Sequence, residues 1–326
     1  MKEVVKMIDK YNRPINYIRI SITDRCNLRC KYCMPNGVKW DDHETIISYE
    51  DIIKLCELLT QLGINKIKIT GGEPLVRKNC VDLIARLKKL PGIDEVTLTT
   101  NGVLLKENID ALVKAKLDSI NISLDTMNRN HYLKITGKDE YSNVIEAIKL
   151  AVKTDLKVKV NCVAIKGSDD YKDILLLAKE YPLDVRFIEM MPIGLGKTFS
   201  TLDNQVILDY IKNTYGNVYI DQSVHGNGPA HYYKIEGFKG GVGFIGAINH
   251  KFCNQCNRIR LTSKGYLKAC LCYDKGIDAL ELLHSDLSDA QKIEKLYAVI
   301  YDKPKEHSFL EVSKITEKNN MSSIGG

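Results

Sequence analysis

An α/β fold, built as an incomplete (β/α)6 barrel followed by a C-terminal α+β domain, is predicted by three features of this 326-residue sequence. Short β-rich runs alternate with amphipathic helical runs six times between residues 17 and 191, the pattern of βα units on a parallel sheet. One face of those strands is polar, whereas a closed eight-stranded barrel fills its interior with Val, Ile and Leu. Beyond Met191 the alternation gives way to a loop, a helix near residues 203–213 and Gly-rich β-like segments through 232–248. The division expected is 1–195 for the barrel and 196–326 for the second domain.

The strands are expected at 17–23, 66–70, 95–100, 119–125, 157–165 and 185–190. Side chains alternate across a strand, so in the first one Ile18, Ile20 and Ile22 face one way and Arg19, Ser21 and Thr23 the other. The helix at 48–62 has Ser48 as its cap, Ile52, Leu55, Cys56 and Leu59 on one face, and Gly63 as its stop. Continuing the alternation puts Lys68 with Thr70, Thr97 with Thr99, Asn121 with Ser123, Lys159 with Asn161, and Arg186 on the polar face. Six units leave a barrel wide enough for a large polar ligand, with functional groups at the C-terminal strand ends. Solvent wetting of the polar face is the alternative.

With 44% hydrophobic and 27% charged residues the chain is not a disordered one. The longest aliphatic run, 174–178, is short, and Met1-Lys2-Glu3 opens with mixed charge, so neither a membrane span nor a signal peptide is expected. The net charge of +6, with neither sign in blocks, suits an anionic ligand without requiring nucleic acid. Residues 194–198 (Gly-Leu-Gly-Lys-Thr) end like a phosphate-binding P-loop, but Met191 stands where its first glycine belongs, so a surface loop is expected.

Ten cysteines in a chain without an export signal point to the reducing cytosol. Cys56, Cys80 and Cys162 lie singly inside apolar patterns and fit as small core residues. Six others form two trios, Cys26-x3-Cys30-x2-Cys33 and Cys253-x2-Cys256-x13-Cys270. Three thiolates on a [4Fe–4S] cluster leave one iron open for chemistry, whereas zinc usually takes four closed ligands. A zinc knuckle with a distant fourth ligand stays open on spacing alone. Arg19, Lys68, Lys159 and Arg186 come from four strand faces, and Arg258 and Arg260 follow the second cysteine pair. These six cations converge if the two halves close together, and a polyphosphate would neutralise them.

Cys26-x3-Cys30-Lys31-Tyr32-Cys33, followed by Gly71-Gly72-Glu73-Pro74 after the second strand, resembles the radical S-adenosylmethionine (SAM) superfamily. The likeness implies that the open iron binds the amino and carboxylate groups of SAM, whose reductive cleavage yields a hydrogen-abstracting 5′-deoxyadenosyl radical. It also implies Tyr32 near the adenine, Gly72 near the methionyl amine, and Ser123 and Met191 along the rest of the cofactor site.

Four further stretches, Cys33-Met34-Pro35, Phe252-Cys253 through Cys256-Asn257-Arg258-x-Arg260, Cys270, and the ending at 321–326, resemble the GTP 3′,8-cyclases of molybdenum cofactor biosynthesis over nearly the whole chain. That resemblance implies a second [4Fe–4S] cluster on Cys253, Cys256 and Cys270, with its open iron approached by the guanine of GTP. It places Arg19, Lys68, Thr99, Lys159, Arg186, Arg258 and Arg260 on the GTP side, Lys68 standing where an arginine is common. Arg258, Arg260, Gly325 and Gly326 are the implied catalytic contacts. Cys272 is an alternative or fourth ligand. The resemblance further implies a cytoplasmic homodimer that needs an electron donor and passes its product to cyclic pyranopterin monophosphate synthase, with neither nucleic acid nor membrane as a partner. A radical SAM peptide-modifying enzyme and a zinc-binding nucleic-acid module are the competing readings.

Overall fold

The computed structural model describes residues 6–35 and 40–324. Its strands are β1 (Tyr17–Ser21), β2 (Lys66–Thr70), β3 (Glu95–Thr100), β4 (Ser119–Ser123), β5 (Lys157–Cys162), β6 (Asp184–Ile188), β7 (Val218–Asp221), β8 (His231–Ile235), β9 (Val242–Ile245), β10 (Arg258–Leu261), β11 (Tyr266–Lys268) and β12 (Gly276–Asp278). The helices are α1 (Tyr49–Thr60), α2 (Cys80–Lys88), α3 (Leu105–Lys114), α4 (Arg129–Thr136), α5 (Tyr141–Ala151), α6 (Asp170–Glu180), α7 (Asn204–Tyr215), α8 (Ala279–His284), α9 (Asp289–Tyr301) and α10 (Met321–Ile324). The six expected strands all form. β2 and β3 span the expected residues, while β5 ends at Cys162 because the chain then leaves the sheet towards a bridge between Ile165 and Thr201.

All twelve strands belong to one sheet, in the order β12-β11-β10-β1-β2-β3-β4-β5-β6-β9-β8-β7. Residues 196–326 supply the three strands at each end: β9 joins β6 in parallel and β10 joins β1 in parallel, so eight consecutive strands run the same way. Neither addition was expected from the βα alternation, because both strands are only four residues long and each is separated from its parallel partner by other strands of the chain.

The sheet is two-faced. Ile18, Ile20, Ile67, Ile69, Leu98, Ile120, Val160 and Phe187 are buried under the helices. α1 shows how the helical layer is set. Ser48 Oγ accepts from the Asp51 amide at 3.0 Å, Ile52, Leu55, Cys56 and Leu59 face the sheet, and Gly63, at φ +82°, turns the chain out of the last turn. Burying each such aliphatic side chain contributes about 1.5–3 kcal/mol. Cys56, Cys80 and Cys162 are core residues as expected. Residues 194–198 form a single 3-10 turn, not a strand-to-helix phosphate loop. Among the described residues no helix is long and apolar enough to cross a membrane.

One polar device ties the chain's start to its end. Asp9 and Arg13 form a buried ion pair at 2.6 Å, and Arg13 also donates to the carbonyls of Cys253, Pro304 and Lys305 at 2.7–2.8 Å. Removing one member of a buried pair strands the other charge. Asp9→Ala should therefore cost about 3–5 kcal/mol, measured as a lower urea midpoint; a midpoint equal to wild type would mean that the pair holds nothing together.

Candidate functional site

The C-terminal ends of the parallel strands carry the first cysteine trio. Past β1 the chain turns over the sheet, and Cys26, Cys30 and Cys33 are free thiols facing the central cavity. Backbone bonds from Arg29 to Thr136 (2.8 Å) and from Lys31 to Ile135 (3.0 Å) hold this loop against α4. Burial pushes all three thiols up, Cys33 to about 12, so they are neutral until a metal takes their protons. Three soft donors on one short loop fit an iron–sulfur cluster. Among the described residues no three His, Cys, Asp or Glu groups are gathered tightly enough for a single ion; a cubane cluster instead ties each thiolate to a different iron.

Gly71 and Gly72 pass directly beneath that loop. A Cβ on Gly72 would lie 2.4 Å from the Arg25 carbonyl and 2.5 Å from that of Asp24, so no larger residue fits. Glu73, fully buried, accepts from the Asn101 amide (2.6 Å), the Thr100 hydroxyl (2.7 Å) and the Leu75 amide (3.0 Å). Burial raises its carboxyl to about 7 against the pull of those three donors. Asn101 in turn donates to Asn27 at 2.7 Å, so Glu73 fixes the end of β3 to the cysteine loop. On the opposite wall the Tyr32 hydroxyl donates to Asp125 at 2.5 Å.

Below this end lies a cavity of about 310 Å³, within the range of small-molecule sites. Arg260, Arg19 and Lys68 stand in register on the adjacent strands β10, β1 and β2. Lys159 and Arg186 face them from β5 and β6, with Thr97, Thr99, Ser119 and Asn121 between. Burial and then the neighbouring cations depress these groups: Lys68 goes well below its usual range, Arg260 falls to about 9 and Lys159 to about 8, the last partly offset by Asp184 and Glu95. Arg186 Nε donates to Asn161 at 2.8 Å. Buried Arg258 Nε and Asn121 Oδ1 have no hydrogen-bond partner among the described residues. Such a lumen suits a polyanion that also carries polar edges.

The second trio sits at the other end of the strands. Cys253 and Cys256 directly precede β10, and Cys270 follows β11, which runs antiparallel to it. Burial alone would raise Cys256, but Lys303, Arg258 and Arg13 outweigh it and bring the thiol to about 7. Lys303, itself buried, donates to the carbonyls of Arg258 (2.9 Å) and Ala269, one on each cysteine-bearing segment. These three free cysteines among cations fit an anionic thiolate-bound cluster. Cys272 is not part of that group's surroundings in the same way: it is buried with Ile193, Leu271, Phe309 and Ile324, and its sulfur accepts from the Ser308 amide at 3.4 Å.

Tyr32, Gly72, Ser123 and Met191 line the cavity with the first trio, and Arg19, Lys68, Thr99, Lys159, Arg186, Arg258 and Arg260 line it too. Met321 and Ser322 also reach it; the carbonyl of Ser322 accepts from Ser21 and that of Ser323 from the Ser263 amide (3.0 Å). Gly325 and Gly326 lie outside the described residues. Glu73, Asp125, Arg13 and Lys303 were not singled out in the sequence. Only Glu73 had a signal there, the acid of the Gly-Gly-Glu-Pro stretch.

Comparison with known proteins agrees with this geometry. Residues 20–199 match the family model of the radical SAM superfamily and residues 183–309 that of Molybdenum Cofactor Synthesis C. GTP 3′,8-cyclase of Clostridium perfringens (strain 13 / Type A) is 42% identical over 328 residues, covering 98% of this chain and all of that protein. The enzyme of the same name from Petrotoga mobilis is 44% identical over 331 residues, with the same coverage. Among solved structures, Streptococcus suis SuiB bound to S-adenosylmethionine superposes with a TM-score of 0.65 over 94% of this chain and 74% of that one, at 17% identity, a likeness of fold. With the cysteine loop, the glycine pair and full-length relatives in agreement, the chain belongs to the radical SAM superfamily and, within it, to the GTP 3′,8-cyclase family.

Proposed function

We propose that this enzyme converts GTP to 3′,8-cyclo-7,8-dihydro-GTP, the first step of molybdenum cofactor biosynthesis, in the lumen between its two cysteine trios. The observation that carries the reading is the in-register row Arg260–Arg19–Lys68 faced by Lys159 and Arg186, because like charges held side by side need a polyanion between them. As a radical SAM enzyme the protein uses a [4Fe–4S] cluster and SAM, which supply the 5′-deoxyadenosyl radical. The zinc module and the peptide-modifying enzyme give way to the family.

The chain's own part is to position and to exclude water. Cys26, Cys30 and Cys33 hold the first cluster, and Tyr32, Gly72, Ser123 and Met191 orient SAM against it. Arg19, Lys68, Lys159 and Arg186 take the triphosphate as fixed charges, and Thr99 contacts the nucleotide. Cys253, Cys256 and Cys270 hold a second [4Fe–4S] cluster facing the guanine, with Arg258 and Arg260 between base and phosphates. The ribose C3′ would then lie between the two ends, where its hydrogen passes to the 5′-deoxyadenosyl radical. The C3′ radical adds to C8 at the expense of the C8–N7 double bond, and one electron from the donor with one proton completes the 7,8-dihydro product. By likeness to the family, Gly325 and Gly326 contact the catalytic cations. Residues 1–195 thus serve the cofactor and 196–326 the base. An electron donor, a cytoplasmic homodimer and delivery to cyclic pyranopterin monophosphate synthase complete the reading.

Anaerobic reconstitution should load roughly eight irons per chain. Replacing Cys26, Cys30 and Cys33 by Ala should remove about half of them and all SAM cleavage, while the same change at Cys253, Cys256 and Cys270 should remove the other half and leave SAM binding. Unchanged iron in either variant contradicts the assignment. Deleting Gly325 and Gly326 should keep the iron and abolish cyclised product; product formed at the full-length rate would make the tail dispensable.

The depressed lysines give GTP binding a pH signature. Lys159 titrates at about 8 in the free protein and is protonated against a phosphate, so binding above that pH takes up a proton and affinity falls as pH rises. Calorimetry at pH 8.5 in two buffers of different ionisation enthalpy should report net proton uptake, smaller in Lys159→Arg. Equal observed heats in the two buffers would place Lys159 away from the phosphates.

A further inference from the structure

The connection between β7 and β8, residues 222–230, does not stand clear of the sheet as a hairpin loop usually does. It folds across the N-terminal ends of the strands, and Gly226, Asn227, Gly228 and Pro229 line the cavity beside Glu95. Two anchors hold it. At one side His225 lies between Asp184, 2.8 Å from Nδ1, and Asp221, 2.9 Å from Nε2, with its ring stacked on Tyr232 at 3.9 Å. At the other, the Asn227 side-chain amide donates at 2.6 Å to Glu95, the first residue of β3. The loop therefore crosses the lumen from β6 to β3.

Between the anchors its backbone runs against the cations. A Cβ built on Gly226 would lie 3.5 Å from Lys159 Nζ, and one on Gly228 would lie 3.7 Å from Arg186 Nη1. A side chain at either position would begin in van der Waals contact with the cation it faces, on the wall of the cavity. Glu95 is also one of the acids that offset Lys68 and Lys159. Left untethered, it is a competitor for both lysines; bound to Asn227, it is kept at the edge of the anion's path.

We propose that residues 225–229 are a floor that gauges polyphosphate length: Asn227, pinned to Glu95, and the Gly226–Gly228 backbone close the lumen beneath Lys159 and Arg186 so that a nucleoside triphosphate, and not a monophosphate, covers the cation set. A shorter chain leaves buried cations without an anion, which costs more than the lost contact alone. The proposal rests on the GTP reading above and adds to it the residues that select the third phosphate.

The test is equilibrium binding of GTP, GDP and GMP to the reconstituted full-length protein, with iron content and SAM cleavage recorded for each variant. Asn227→Ala frees Glu95, and Gly228→Ala, at a position without left-handed backbone, sets a methyl beside Arg186. Each should weaken GTP about tenfold, the size of one charge-assisted contact, and change GMP by less than about twofold. If Asn227→Ala loses its iron, Gly228→Ala alone decides. Wild-type protein that prefers GTP to GMP, combined with an unchanged preference in both variants or a parallel loss for both nucleotides, overturns the floor and leaves the function standing. Wild-type protein that does not bind GTP overturns the function itself.

Discussion

Three cations held side by side across neighbouring strands are the constraint on which the rest of this structure turns. Arg260, Arg19 and Lys68 occupy matching register positions, and at that spacing their mutual repulsion is built into the sheet. A protein interior tolerates such a row only where polar groups and an anion answer it. The Thr, Ser and Asn side chains of β3 and β4, the carboxylates of Glu95 and Asp184 and the Arg186–Asn161 bond are the protein's own answer. It is incomplete, as the depressed Lys68 and Arg260 record. A ligand of opposite charge would relieve that repulsion with groups already in position.

The two cysteine trios are built by different physics. At the first trio the thiols are desolvated and neutral, and order comes from glycine packing and the buried Glu73. At the second, Lys303 and Arg13 bring positive charge to the cysteine segments and hold their carbonyls at the same time. The first loop is therefore poised to exchange protons for metal inside a low-dielectric wall, whereas in the second Cys256 alone is biased towards thiolate, burial still holding Cys253 up.

Much of this was legible from period-two alternation. Ile18, Ile20 and Ile22 against Arg19, Ser21 and Thr23 fixed which way β1 faces, and the same rule brought Lys68, Lys159 and Arg186 into the lumen before any coordinates. The cysteine spacings and Gly71-Gly72 were equally plain, since each obeys a local requirement. What stayed hidden depends on residues far apart. Nothing local in Val242–Ile245 or Arg258–Leu261 says that these segments complete the parallel sheet, and nothing in Asn227 announces a partner 132 positions earlier. Cys270 and Cys272 both touch the apolar cluster of Ile193, Phe309 and Ile324, but Cys272 is buried within it and Cys270 only half-buried against it, a distinction made by those distant residues.

Pairing β1 with β10 has a consequence for how the molecule is made. Tyr17 leaves the ribosome about 240 residues before its partner Arg258, some 12–50 s earlier at usual rates of synthesis. Throughout that interval β1 has a bare edge of unpaired amides and carbonyls, and the lumen has no wall on that side. Contacts of such long sequence separation form late and slowly, and an open strand edge invites pairing with another chain. The nascent barrel is thus an aggregation-prone intermediate until the last third of the chain arrives, and shielding by a chaperone matters most for this protein while it is still being translated.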